Sequence, residues 1–599
     1  MKIPELRNAF VHLLQTKTIR IPMLTLGTLL GLQYFLLPEH LNYAHHGVFV
    51  LLLAFCLGGF FSHTERNRDS LLPNAKIVLF SFLLALSLTL GIYMDRGRSL
   101  ETLGIFQMGL LGLRTLLITP FVERLLTWLS QILENRRDDV SPERSIRFFD
   151  WCIPFLIILL MWGIVHLAYW PGLFNYDAWQ VDEVLHHAYS KHHPLLHTLF
   201  LGYCYRFGLE AGNPNLGIAL YCLIQSILMA AILALAVAYL RVIRNHRMLS
   251  FLALLYFALF PAHPLMAIST TKDVLFSGFI LLALLLALLF ANKKNKTAGH
   301  LPVLLILVLS LIQLFRNNAQ YAILLTAVCC LFQLRRSKWR KALLILLLSF
   351  GLFKGTDALL SHTLSAAPGE IAEALSIPIQ MCGRIYTKLE KEDEDPEIRE
   401  EIARYFDMTQ AYYRPERSDL MKFYATISRD NVGDFLKLSL KLLVCYPLES
   451  ADAALYLTEG LWNLQDVSYA DVYRGISDRA GVMFTDIKPD YGIQLQSQIP
   501  SLERLYEHLF SENAYMKVPI LAQLFSPALY TWLFLLLLVL GKDERKLPLL
   551  LPFAFLLLTI AAGPCIIVRY IYPFMLCAPV FLDMLCAGIQ GSLRDHRKP

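Results

Sequence analysis

Charged residues are scarce in this sequence, and several familiar motifs are missing from it. Asp, Glu, Lys and Arg make up 17% of the 599 residues and apolar types 56%, whereas soluble domains average about 25% charged. No CxxC pattern accompanies the eleven cysteines, which argues against a cysteine-ligated metal site. The alternating pattern of a membrane β-barrel is also missing. Long apolar runs such as 341–353 and 530–541 instead predict an all-α polytopic membrane protein that binds no nucleic acid.

The basic loops of the chain predict its orientation in the membrane, because short loops rich in Lys and Arg stay cytoplasmic. If all the strongly basic loops lie inside, about fourteen helices cross the membrane and both chain ends are cytoplasmic. The predicted spans are 20–37, 47–62, 77–94, 104–128, 149–169, 214–240, 248–266, 274–292, 301–315, 319–334, 342–355, 518–541, 547–562 and 566–588. The apolar segment 193–209 cannot be a further span without inverting every later loop, so we interpret it as a helix lying at the outer interface.

This arrangement divides the chain into five regions. Residues 1–130 form an N-terminal four-helix membrane region, 131–147 a charged cytoplasmic linker, 148–355 a membrane core, 356–517 an extracytoplasmic and mainly α-helical domain, and 518–599 a C-terminal three-helix membrane region. Cys382 and Cys445 both fall in the extracytoplasmic domain and are a candidate disulfide.

Ionisable side chains gather in the loops that this topology places outside. The segment 170–196 carries Asp177 just past a predicted membrane exit, together with aromatic residues and histidines. Lys272 and Asp273 begin a later span, Arg316 lies in a very short loop, and Arg569 lies about one turn inside the last helix. Such residues are costly to place near lipid, so they indicate a functional site. A carboxylate suits a general base, and arginine suits phosphate oxygens.

These motifs resemble those of the GT-C glycosyltransferases, which use sugars carried on polyprenyl phosphates. NYDAWQ places Asp177 where that superfamily has an acid after a spanning helix, and HHPLLHTLF looks like the start of its second interfacial helix. TTKD offers Asp273 as a second acid, and RYIYP resembles a late R-Y-x-x-P motif. The segments SIPIQMCGR, YRPERSDLMK and YPLESADAALYLTEGLWN also look like an uncharacterised family of large bacterial membrane proteins with GT-C-like cores.

The resemblance implies a GT-C-like core and an inverting transfer of a hexose or pentose in the cell membrane. The donor would be a polyprenyl-phosphate sugar, and the acceptor a cell-surface glycan, lipid or protein on the extracytoplasmic side. The expected roles are catalytic for Asp177 and Asp273, donor-phosphate-binding for Arg569, Arg316 and Lys272, and substrate-binding for Tyr176, His193 and Asn317. Asp177 and Asp273 would share a divalent cation, Mg²⁺ or Mn²⁺, if the reaction uses one.

Several residues have structural alternatives. Asp177 suits a helix N-cap, and Asp182 and Glu183 suit a solvated helix face. His192, His193 and His197 are polar contacts or metal ligands beside Asp177. Alternatives to the whole function are a transporter or flippase of lipid-linked saccharides, a non-catalytic partner in cell-envelope polymer assembly, and a membrane acyltransferase.

Overall fold

The computed structural model describes residues 17–32, 47–66, 75–94, 99–134, 145–291, 299–464, 491–511, 514–540 and 547–596. These residues are largely helical, with isolated β-bridges and no strand among them. In this described part of the chain, seven helices are long and apolar enough to cross a membrane, and seven shorter apolar helices accompany them. The protein is therefore an all-α membrane protein, as the composition predicts.

The helices are numbered in chain order. The N-terminal membrane region contains α1 (Lys17–Gly31), α2 (Gly47–Arg66), α3 (Ala75–Met94) and α4 (Ile105–Glu134). The core region contains α5 (Phe148–Ala168), α6 (Val181–Leu185), α7 (Leu195–Glu210), α8 (Pro214–Ala238), α9 (Arg247–Leu259), α10 (Ala262–Ala267), α11 (Asp273–Ala291), α12 (Leu301–Phe315), α13 (Ala319–Leu331) and α14 (Ser337–Thr363). Then come α15 (Ser376–Glu392), α16 (Pro396–Ala403), α17 (Asp419–Lys422), α18 (Val432–Cys445), α19 (Pro447–Leu457), α20 (Glu459–Trp462), α21 (Pro500–Ser511), α22 (Pro519–Phe525), α23 (Pro527–Leu540), α24 (Leu547–Ala561) and α25 (Val568–His596).

Each of the fourteen predicted spans contains a helix, but proline breaks two of them. The predicted span 248–266 divides at Pro261 into α9 and the short α10, and the span 518–541 divides at Pro527 into α22 and α23. Proline lacks the backbone N–H that continues a helix, and it suits a first turn. The first break creates the short helix α10, which precedes the loop leading to Asp273.

The membrane helices share one large apolar core, and a second core lies elsewhere. The first joins buried residues of α5, α8, α11 and α25, such as Trp162, Leu281 and Phe574. The second is built around Ile379, Phe435 and Leu442 within the 356–517 domain. That domain therefore has an apolar core of its own, while the described residues 491–511 and 514–517 pack on the membrane core through side chains such as Tyr491.

A close helix crossing places α7 beside α8. A Cβ atom on Gly208 would come within 2.6 Å of the backbone nitrogen of Gly217, and one on Gly217 within 2.4 Å of the carbonyl oxygen of Cys204. Only glycine allows these two backbones to approach so closely. The segment 193–209, predicted as an interfacial helix, is thus largely the helix α7, packed directly on the core.

The candidate disulfide of the sequence analysis is wrong. Cys382 and Cys445 are both free thiols; Cys382 is buried and Cys445 is exposed. Cys382 belongs to the inner face of α15, in the core around Ile379, whereas Cys445 ends α18 at the surface. The buried thiol and the exposed thiol are therefore not bridged.

Candidate functional site

Three charged side chains meet where three helices begin or end. Asp273 is the first residue of α11, Arg316 directly follows α12, and Arg569 is the second residue of α25. Nη1 of Arg316 donates to Oδ1 of Asp273, and Nε of Arg569 lies 3.7 Å from Oδ2. The Asp273 side chain is fully buried, and those of Arg316 and Arg569 are 11% and 3% exposed. We call these three residues the arginine–aspartate cluster.

Aromatic rings fix the arginines of this cluster in place. The Arg316 guanidinium lies 4.7 Å from the ring centroid of Tyr570 and 5.3 Å from that of Phe276. The Arg569 guanidinium lies 5.2 Å from the Tyr570 ring. Cation–π contacts of this kind are favourable and orient the planar groups. Two arginines share one carboxylate, so the cluster has a net positive charge, and its planar donors match the oxygens of a phosphate.

Both oxygens of the Asp273 carboxylate are occupied. Besides the arginines, Thr271 donates from its hydroxyl to Oδ2 at 3.1 Å. The geometry therefore gives Asp273 the task of holding the two guanidinium groups, and a direct catalytic role for it stays a prediction.

The loop before Asp177 is attached to this cluster. Gly172 has a φ of 131°, and a Cβ there would lie 2.4 Å from Sγ of Cys222, so the turn requires glycine. Leu173 then pairs with Ser269 in a parallel bridge. Asn175 receives a 3.4 Å hydrogen bond from Nη1 of Arg569 on its side-chain oxygen, and its backbone N–H donates to the hydroxyl of Thr270 at 2.8 Å.

Asp177 follows Asn175 by two residues, in a 3₁₀ helix that spans Tyr176–Gln180. The backbone N–H of Ala178 donates to the carbonyl of Asn175 at 2.8 Å, which closes this turn. Consecutive Cα atoms are about 3.8 Å apart, so the Cα of Asp177 lies within about 8 Å of that of Asn175. The backbone therefore brings the predicted base close to the cluster, while the side chains of Tyr176 and Asp177 lie outside the described residues.

Lys272 and His193 form a second pair next to the cluster. Nζ of Lys272 donates to Nδ1 of His193 at 2.9 Å. The His193 ring packs edge-to-face against Trp179, with 5.3 Å between the ring centroids, and is buried. Lys272 precedes Asp273 in the chain, so its charge adds to the positive potential near the arginines. His193 thus connects the Asp177 loop to the start of α11.

Asn317 is less central than the other predicted residues. Its side chain donates to the carbonyl of Lys191 at 3.1 Å and is exposed. It therefore connects the short loop after α12 to the segment that carries His193. Its neighbour Asn318 accepts from Nε of Arg316 at 3.0 Å and so contributes to the orientation of that arginine.

A buried chain of hydrogen bonds, which the sequence analysis did not identify, supports the loop from behind. Thr198 donates to Oε1 of Gln180 at 3.0 Å, and Nε2 of Gln180 lies 2.9 Å from Nδ1 of His197. Nε2 of His197 lies 2.9 Å from the hydroxyl of Tyr221, which donates to Gln225. Nε2 of Gln225 then donates to the carbonyls of Ala267 and Ser269. We call Thr198, Gln180, His197, Tyr221 and Gln225 the buried relay.

The direction of each hydrogen bond in the buried relay follows from its neighbours. The Tyr221 oxygen donates to Gln225, so it accepts from Nε2–H of His197. Nδ1 of His197 is then the acceptor of the Gln180 amide. Both imidazole nitrogens are used, which gives His197 a positioning role in place of the metal-ligand alternative. The relay joins the 3₁₀ helix bearing Asp177 to the loop before Asp273.

Asp182 and Glu183 do not form the solvated helix face that the sequence suggests. Asp182 accepts from the hydroxyl of Tyr491 at 2.7 Å. Glu183 is buried and accepts from the backbone N–H of Ser190 at 2.9 Å and from its hydroxyl at 3.2 Å. Burial raises the pKa of Glu183, and the two bonds from Ser190 oppose that rise. Both acids therefore shape the loop instead of facing a substrate.

The 356–517 domain touches the chain just before Arg569. The backbone N–H of Ser418 donates to the carbonyl of Pro564 at 2.8 Å, and Arg417 forms an antiparallel bridge with Cys565. Nearby, Lys422 makes ion pairs with Asp419 and Glu373, at 2.8 and 2.9 Å. This turn therefore packs against the segment that leads into α25.

A metal centre is not assembled among the described side chains. They contain no group of three or more His, Cys, Asp or Glu residues placed to hold an ion. Asp273 already contacts two arginines, and the side chain of its predicted partner Asp177 is outside this set. The Asp177–Asp273 cation site stays a prediction.

Comparison with known proteins identifies a family and no activity. A family model described as a family of unknown function, DUF6020, matches residues 185–598, more than half of the chain. This chain belongs to the DUF6020 family. No curated protein and no solved structure matches it. In this DUF6020 chain the matched residues include Asp273, Arg316 and Arg569, while Asp177 precedes them.

Proposed function

We propose that this protein is an integral membrane glycosyltransferase with a GT-C-like core. It moves a sugar from a polyprenyl-phosphate donor to a cell-surface glycan, lipid or protein. The reaction takes place at the extracytoplasmic face of the cell membrane, where the basic loops orient the site. The matched family has no assigned activity, so the proposal depends on the chemistry of the residues themselves.

One observation carries the proposal: two arginines, Arg316 and Arg569, converge on the buried Asp273. A cluster with surplus positive charge is stable next to lipid only if an anion or water offsets the charge. A phosphate attached to a lipid supplies that anion at the depth of the helix ends. Asn175 bonds Arg569 at 3.4 Å, so the loop bearing Asp177 lies against the phosphate-binding groups.

The proposed step is a single displacement at the anomeric carbon. The acceptor hydroxyl transfers its proton to the Asp177 carboxylate while its oxygen forms a bond to the anomeric carbon. The bond from that carbon to the phosphate oxygen breaks, and its electron pair leaves with polyprenyl phosphate. Attack opposite the leaving group inverts the configuration. Arg316, Arg569 and Lys272 stabilise the charge that develops on the departing phosphate.

Asp273 acts in this scheme as a positioning residue. Its carboxylate keeps two like-charged guanidinium groups together in a buried place, which they would otherwise leave. His193 orients Lys272 through their 2.9 Å contact, and both border the donor sugar. No step in this scheme passes through a divalent cation.

The test is donor turnover by purified protein given a polyprenyl-phosphate hexose and a hydroxyl acceptor. Wild-type protein is expected to release polyprenyl phosphate, and Asp177→Asn to abolish the release. Asp182→Asn is the matched control, since it removes an acid five residues later that bonds Tyr491. Equal turnover by wild type and Asp177→Asn would refute the assigned base. Movement of intact donor across vesicles without release would support a transporter instead.

A further inference from the structure

A large apolar groove begins at Phe276, next to the arginine–aspartate cluster, and runs away from it. It has a volume of about 620 Å³ and runs between α11, α12, α13, α14 and α24. Along α11 it extends from Phe276 to Ala291. At a helical rise of about 1.5 Å per residue this is about 22 Å, most of the roughly 30 Å hydrocarbon thickness of a bilayer. The groove therefore has the length of a lipid acyl chain.

The polar groups of this groove are confined to one end. Of the described residues that line it, only Ser337, Lys338 and Lys341 have polar side chains, and all three belong to the first turns of α14. The opposite end is formed by Phe276, whose ring lies beneath the guanidinium of Arg316. Neither arginine of the cluster is among the lining residues. The groove thus has one cationic end and one apolar end.

The cationic end lies at the opposite membrane face from the cluster. α11 begins at Asp273 in the cluster and ends at Ala291 beside the lysines. The lysines belong to the run RRSKWRK at residues 335–341, which has five cations and no acid. Basic loops of this kind are retained in the cytoplasm, where the adjoining leaflet contains anionic lipids.

We infer that this groove binds one anionic phospholipid of the leaflet at the Lys338–Lys341 end. Its acyl chains lie along the apolar wall toward Phe276, and its phosphate is bound by the two lysines. Charge complementarity selects this occupant: a zwitterionic lipid would fill the same apolar volume, but its own ammonium group would oppose the lysines. A donor with its phosphate at the arginines would bring the apolar end of its chain, and no anion, to these lysines. The site is separate from the proposed transferase site and does not depend on it.

The experiment measures lipid binding to delipidated full-length protein in detergent by native mass spectrometry. Phosphatidylglycerol and phosphatidylcholine serve as probes, at equal concentration. Wild-type protein is expected to retain one phosphatidylglycerol in preference to phosphatidylcholine. Lys338→Ala with Lys341→Ala is expected to weaken phosphatidylglycerol binding about tenfold, since each lysine near a membrane surface contributes to anionic lipid attraction.

Two further variants make the result specific. Arg335→Ala with Arg340→Ala removes the same charge from the same basic run, but neither arginine lines the groove, so lipid selectivity is expected to persist. Ala287→Trp places a ring in the middle of the groove and is expected to reduce binding of both lipids. The inference is overturned if the lysine and arginine pairs have equal effects, if the two lipids bind equally to wild type, or if Ala287→Trp changes nothing. Because no turnover is measured, failure here leaves the transferase proposal intact, and the reverse also holds.

Discussion

At the scale of single residues, each arginine of the cluster is held by several partners, and those of Arg569 include long contacts. Arg316 contacts Asp273, Asn318 and two aromatic rings, and Arg569 contacts Asp273, Asn175 and Tyr570 at distances up to 3.7 Å. Arginine has five N–H donors in a fixed fork. A guanidinium with long contacts can turn toward a phosphate that accepts two hydrogen bonds from it. Substitutions of these arginines therefore test phosphate binding.

Arg569→Gln is expected to lower kcat for donor turnover about 10²- to 10³-fold, because one charged donor to the leaving phosphate is removed. Arg569→Lys keeps the charge but loses the planar fork, so an intermediate loss of about tenfold is expected. Steady-state kinetics with polyprenyl-phosphate hexose measures both. Indistinguishable losses in the two variants would contradict bidentate recognition.

Asp273→Asn is expected to destabilise the fold by about 3–5 kcal/mol, because two buried guanidinium groups lose the carboxylate that they share. Thermal unfolding in detergent measures the change. Asp357→Asn is the control, since its ion pair with Lys191 is partly exposed and such pairs are worth about 1 kcal/mol or less. If both substitutions lowered stability equally, Asp273 would not be the positioning residue described above.

Residue-level prediction from sequence was informative for the charged side chains and poor for the neutral ones. Asp273, Arg316, Arg569 and Lys272 stand out because charge in an apolar chain is costly. Gln180, Tyr221 and Gln225 have no such signature, since polar neutral residues are common in helices. Their role depends on contacts such as that between Gln225 and Ser269, 44 positions apart, which no local pattern encodes.

At the scale of elements, the buried relay connects four pieces of structure that are separate in the sequence. It joins the 3₁₀ helix Tyr176–Gln180, the first turn of α7 and the middle of α8 to the loop at Ser269. The relay fixes the distance between the Asp177 turn and the start of α11. A change at its centre is therefore expected to act on both.

His197→Phe keeps an aromatic ring but removes the bonds that His197 makes to the Gln180 amide nitrogen and to the Tyr221 hydroxyl, each at a cost of about 1–3 kcal/mol. We expect lower thermal stability and a fall in kcat that exceeds the change in KM, because the distance between the Asp177 turn and the start of α11 is no longer fixed. His186→Phe is the control, since His186 is exposed and its ring bonds the nearby carbonyl of Asp182, outside the buried relay. A variant with lowered stability and unchanged kcat would limit the relay to a structural role.

The predicted helix boundaries agree with the structure except where a proline breaks a helix or where a helix continues past its apolar stretch. The breaks at Pro261 and Pro527 arise because proline lacks a backbone N–H. Hydropathy averaged over a whole span does not register this effect. α14 continues to Thr363, past the predicted end at 355, because polar residues at its end extend the helix beyond the apolar stretch. Apolar length thus predicts where a helix lies in lipid better than where it ends.

At the scale of the whole molecule, the orientation of the chain determines which face bears the cluster. The exposed thiol of Cys445 lies in the domain predicted to be extracytoplasmic, and the exposed Arg335 lies in a predicted cytoplasmic turn. A membrane-impermeant maleimide is expected to label wild-type Cys445 in intact cells. Arg335→Cys in a Cys445→Ser background is expected to be labelled only after permeabilisation. The reverse pattern would place the cluster in the cytoplasm and end the proposal.

The most direct measurement of the central claim is an experimental structure of the protein with polyprenyl phosphate bound. We expect the phosphate to lie within hydrogen-bonding distance of both Arg316 and Arg569, beside the turn that bears Asp177. A phosphate bound elsewhere, with both arginines still closed on Asp273, would contradict it.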